Sequence, residues 1–182
     1  RGGAGEIADV AGLGLAHRTD RPAIDTGRGD GDEDRAVECG IARIPHALAE
    51  IEDARERPAG LAHSVWELLE HIRITQRDLL DFVKNPDYEE KLEWPKDYWP
   101  ANPAPASEKS WNESLAGWRK DRMALERFTT DTDIDLTTKI PRGTGQTYLR
   151  TILVAVDHAA YHVAQIVTTR QLMGAWPPPK AK

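Results

Sequence analysis

The sequence has a single cysteine, Cys39, which excludes an internal disulfide framework and any zinc module built from several thiolates. It has no apolar run near the roughly 20 residues that a membrane-crossing helix needs, and no signal-peptide pattern opens it. The expected setting is therefore a reducing cytoplasm, with no membrane partner. Positive charge is not in surplus either: 24 Lys and Arg against 30 Asp and Glu leave a net charge of −6. A surface that coats nucleic acid needs clustered cations, so no nucleic-acid partner is expected. What is present, 40% hydrophobic and 30% charged residues over 182 positions, suits one globular domain with a real core.

The chain divides by composition. Residues 1–44 are glycine-rich, with nine of the 14 glycines in the first forty positions, and they carry an acidic run at Asp30–Asp34. Their one helical pattern, Ile7, Val10 and Leu13, is interrupted by Gly12 and Gly14, each about 1 kcal/mol worse than alanine in a helix. Such a segment buries too little apolar area to offset its ordering entropy. It is read as disordered or as a doubtful N-terminal segment, also because no initiator methionine opens it. Residues 45–176 carry the helical domain, and 177–182 form a tail.

Within that domain a short helix is expected over Pro45–Arg57, with proline in its first turn. Ser64 and Glu67 stand at capping-box spacing. Behind them Val65, Leu68, Leu69, Ile72, Leu79, Leu80 and Val83 follow the helical period as far as Lys84. Residues 85–107 hold five prolines with Trp94, Tyr98 and Trp99, which excludes regular helix but allows a long crossover between parallel helices. A third helix begins near Ser107 or Ser110, with Trp111 and Trp118 in its core stripe, and runs to about Phe128. Residues 129–146 are loop, with a short strand expected over Ile134–Ile140. The last helix runs from Thr147 to Met173, with Leu149, Ile152, Leu153, Val156, Ala160, Val163, Ile166 and Val167 as its core stripe and Gly174 as its C-terminal cap. The fold class is all-α, a helical bundle.

The chemistry concentrates in the last helix. His158 and His162 are four residues apart, so both rings leave one side of the helix and can share an ion. Two partly exposed surface histidines are the plainer alternative, but these rings border the apolar stripe. Buried polar groups without partners cost about 1–3 kcal/mol each, and a metal meets that need. The residue after His158 is Ala159, so the H-E-x-x-H peptidase motif and its glutamate base are absent. A reactive site needs a third protein ligand, and the candidates are His71, His63, His46 and some carboxylates. His71 ranks first because it lies mid-helix beside a core stripe. His63, next to the cap, is expected to meet solvent or an orphan amide.

Glu67, Asp78 and Gln165 share the ligand faces and are candidates to orient the ligands, against a solvated alternative for each. Trp94, Tyr98 and Trp99 are candidates to line a small-molecule substrate pocket, the alternative being that they seal the bundle end. Gly143-Thr-Gly145 lacks the ending of a phosphate loop, and Asp30–Asp34 lacks calcium-loop spacing.

His71 within Ser64-Val-Trp-Glu-Leu-Leu-Glu-His-Ile-Arg73, together with Asp157-His-Ala-Ala-Tyr-His-Val-Ala-Gln165, closely resembles the DinB-like (YfiT-like) four-helix-bundle metalloproteins from about His46 to Trp176. The resemblance implies an up-down-down-up bundle with the Pro/Trp-rich crossover between helices 2 and 3. It implies a divalent metal, zinc or nickel, on His71, His158 and His162, and a homodimer. Known relatives include transferases and isomerases that use a low-molecular-weight thiol, such as bacillithiol or mycothiol, as co-substrate. Others are described as metal-dependent hydrolases. The chain departs from the family at its front, where the first helix is poorly represented. A thiol S-transferase is the leading expectation. A hydrolase on the same site, a non-catalytic metal-binding or dimerisation bundle, and a bis-histidine haem bundle are the alternatives.

Overall fold

The computed structural model describes residues 54–176, which fall within the compact unit Glu38–Lys182. The expectations for the N-terminal segment, for residues 45–53 of the first helix and for the tail lie outside the described residues. Of the described remainder of that expected helix, Ala54 lies in a 3-10 turn and Arg55–Arg57 are not helical.

Three helices make up the described part: α1 (Val65–Lys84), α2 (Glu108–Thr129) and α3 (Tyr148–Leu172). Helix α1 is central and packs against both of the others. It starts where the sequence pattern places it. The Ser64 hydroxyl accepts from the Glu67 amide, and the Glu67 carboxylate accepts from the Ser64 amide. The same hydroxyl donates to the Pro103 carbonyl at 2.7 Å, and the Trp66 indole donates to that of Asn102 at 3.2 Å. The end of the crossover is thereby tied to the beginning of α1.

Contacts then ascend together along α1 and α2. Trp66 meets Trp111, Gln76 donates to the Trp118 carbonyl, and Arg77 pairs with Asp121. Trp111 and Trp118 are fully buried. One core cluster gathers Leu68, Leu69, Ile72, Trp111, Trp118 and Ile166, and a second gathers Leu80, Val83, Leu125, Ile140 and Ala155.

Three local expectations change. Proline does not keep all of residues 85–107 irregular, since Lys96–Tyr98 form one 3-10 turn. Ile134–Ile140 is not a strand. The Asp131 and Asp135 side chains accept from the amides two residues on, and these local turns compete with extended pairing. What survives is a single antiparallel bridge, Lys139 to Thr147. Helix α3 is also rotated relative to its expected stripe. Its buried face is Ile152, Ala155, Ala159, His162, Ile166 and Thr169, whereas Leu149, Val156 and Leu153 are exposed, the last at 57%. Apolar residues occur on more than one side of this helix, so periodicity alone does not choose between faces. The rotation puts His162 on the packed face itself.

Gly174 ends α3 as expected. With φ +72 it donates to the Gln171 carbonyl while Ala175 donates to that of Arg170, a Schellman closure.

Because Ser64 joins the cap to the crossover, Ser64→Ala is expected to cost about 1–2 kcal/mol. Urea denaturation measures this, and an unchanged midpoint would show that the capping hydroxyl contributes nothing.

Candidate metal centre

His71 comes from the middle of α1, and His158 and His162 from successive turns of α3. One ligand nitrogen from each lies within 4.8 Å of the other two. The rings meet edge to face, with centroids 4.8 Å (His71–His158), 4.7 Å (His71–His162) and 4.6 Å (His158–His162) apart. His71 is 2% exposed, and His162 is also buried.

Their hydrogen bonds decide which nitrogens are free to bind. His71 Nδ1 lies 2.8 Å from the Tyr98 carbonyl oxygen, which can only accept, so Nδ1 carries the proton and Nε2 keeps a lone pair. His162 Nδ1 donates to Gln165 Oε1 at 2.7 Å, which likewise leaves Nε2 as the lone-pair nitrogen. His158 Nε2 and His71 Nε2 are 3.0 Å apart. Two ring nitrogens at that distance need something positive between them, either a proton on one or a cation shared by both.

Burial also keeps the rings neutral. It pushes His71 down to about 4, against the partial opposition of the Tyr98 carbonyl, and His158 down to about 3. It moves His162 in the same direction despite the Gln165 bond. Neutral imidazoles with pinned outer nitrogens are the donor set that zinc and similar divalent ions accept. Tetrahedral bonds of about 2.0–2.1 Å place ligand nitrogens roughly 3.3–3.4 Å apart, a spacing the His71–His158 pair at 3.0 Å already approaches, with all three ligand nitrogens within 4.8 Å of one another.

The crossover forms the wall of this cluster. Trp99 stacks on His71 at 3.9 Å with the planes 2° apart, and on His63 at 3.9 Å and 14°. Trp94 lies 6.2 Å from His71 and contacts Tyr98 edge to face. Asp78 accepts from the Tyr98 phenol at 2.7 Å and from the Tyr88 phenol at 3.0 Å, and burial, reinforced by the Asp78 carboxylate, pushes both phenols well above their usual pKa. Asp78 therefore anchors the loop whose backbone carbonyl holds His71, without touching a histidine. Glu67 is also away from the rings, accepting from the Ser64 amide and, through both oxygens, from Arg57 Nη2. Of the three orienting candidates, only Gln165 bonds a ring directly.

His63 is the residue whose surroundings sequence reasoning missed. It is partly exposed and stacks on the Trp99 indole, and nothing local signals a partner 36 positions away.

The sequence profile of the DinB superfamily matches residues 41–166. The chain belongs to the DinB superfamily. No curated protein and no solved structure matches it. The DinB match takes in all three converging histidines and the whole crossover.

An unfolded imidazole takes a proton near pH 6.5, whereas buried His71 and His158 refuse one until about 4 and about 3. Between those limits the unfolded chain binds more protons, so stability is full above pH 6.5 and declines as the pH falls. For metal-free protein the loss at pH 5 is expected to be on the order of 2 kcal/mol per ring. Denaturant titrations at pH 7.5 and pH 5 measure it; equal stabilities would mean the rings titrate as they do in water.

Proposed function

We propose that this chain is a metal-dependent enzyme that transfers a low-molecular-weight thiol to an electrophilic carbon. His71, His158 and His162 would hold the divalent ion, zinc or nickel. The observation that carries the reading is the convergence of three neutral rings, two of them with the outer nitrogen occupied by a fixed acceptor and the inner nitrogen unprotonated. When bound, such an ion supplies Lewis acidity that lowers the pKa of a thiol or a water in its remaining position.

The chain's own residues do the rest. The Tyr98 carbonyl and Gln165 stop two rings from turning, and Trp99 covers one face of His71 and keeps water off it. Among the described residues no carboxylate joins the cluster of ligand atoms or bonds its histidines, so no acidic side chain stands there as a ready base. That favours a thiol, whose own pKa of about 8.5 needs the smaller shift to ionise near neutral pH, over a water at about 15.7. The same reading includes the up-down-down-up four-helix arrangement and pairing of two copies, both implied by DinB membership.

Zinc or nickel titrated into purified protein is expected to bind at one ion per chain, and the loaded protein to transfer N-acetylcysteine to monochlorobimane. His158→Ala should lose the bound ion and slow transfer by more than about 100-fold, beyond the effect typical of losing an orienting partner. Stoichiometric metal with ester or amide cleavage instead of thiol transfer would favour hydrolysis. Metal without either activity would make the ion structural.

A further inference from the structure

Beside the histidine cluster lies a cleft of about 340 Å³ between the segment leading into α1 and the outer turns of α3. This volume falls within the range of small-molecule sites. Leu61, Ala62, Leu68 and Ala164 give it an aliphatic wall. Its polar groups are His63, Tyr161 and Gln165, and each leads back to the cluster. Gln165 bonds His162, the Tyr161 ring packs 4.9 Å from His162, and His63 stacks on the indole that covers His71. The two threonines that complete the cleft have their hydroxyl protons engaged, Thr168 on the Ala164 carbonyl and Thr169 on that of Gln165.

Donors and acceptors without partners remain. Gln165 binds its histidine through Oε1, leaving its amide N–H groups without a protein acceptor among the described residues. The Tyr161 phenol has none there either, on a residue that is 63% exposed, and His63 Nδ1 is buried without a hydrogen-bond partner. No lysine, arginine, aspartate or glutamate lines the cleft. An anion placed in it would give up its hydration with no cationic side chain in the lining to replace it, a loss that a neutral molecule of the same shape avoids.

We propose that this cleft is the acceptor site, and that it takes an uncharged organic molecule with an apolar body and hydrogen-bond acceptors for the Gln165 amide and the Tyr161 phenol. The inference rests on the thiol-transfer reading only for the word acceptor; the ligand class follows from the lining.

A pair of probes alike in shape and different in charge tests it, without thiol and without turnover. On zinc-loaded full-length protein, 2-naphthamide and 2-naphthoate are titrated by ligand-observed NMR. The amide is expected to bind at least about tenfold more tightly than the carboxylate. Ala164→Phe or Ala62→Phe, each filling the cleft, should remove amide binding while zinc stoichiometry stays at the wild-type value. Equal or tighter binding of naphthoate, amide binding unchanged in both filled variants, or no binding of either probe would overturn the proposal. Binding that follows the expected pattern in a protein without thiol transfer would leave the cleft assignment standing and remove the transfer reading alone.

Discussion

Three polar rings, two of them buried and the third partly so, meet at the junction of α1 and α3, and the contacts around them keep them neutral and fixed. Burial alone would make these histidines a defect, since an imidazole that gives up water needs a partner for each nitrogen. On His71 and His162 the outer nitrogen is met by an oxygen that can only accept. The inner nitrogens are therefore left as bases facing one another, and that shared requirement for a positive centre is the chemical character of the site.

The crossover does more than connect two helices. Its 3-10 turn delivers a backbone carbonyl to His71 and an indole to the face of the same ring, and the turn is moored through the Tyr98 phenol to Asp78, two turns further along α1. Its far end is moored to Ser64 and Trp66 at the start of α1. One segment thus closes over a ring from the helix on which both of its moorings lie. An orienting group supplied by a main-chain oxygen does not depend on the identity of the side chain that carries it. A profile of residue types therefore says little about it.

That distinction explains what was legible in the sequence. Features set by neighbours in the chain were readable: the Ser64–Glu67 box, the Gly174 closure, the four-residue spacing of His158 and His162, and burial of Trp111 and Trp118 at a heptad interval. His71 stood out because its position in a core-flanking stripe is also a local property. What could not be read depended on distant partners. Asp78 lies seven residues after His71, roughly on the same side of the helix, which suggested contact with the ring, whereas two tyrosines of the following segment claim its oxygens. His63 acquired an indole 36 positions away. The apolar residues of α3 supported more than one choice of buried face, and packing against α1 selected the one that carries His162. The expected strand after α2 failed for a local reason, because Asp131 and Asp135 provide turns that β-branched neighbours cannot outweigh.

Both ends of the central helix are also closed from outside. Asn102 and Pro103 hold its first turn, and near its last turn the Arg142 guanidinium donates twice to the Phe82 carbonyl, one of the acceptors a helix end leaves unpaired. Fraying of a helix held in this way has to break these bonds to the connecting segments as well as its own, which couples opening around His71 to release of the segments on either side.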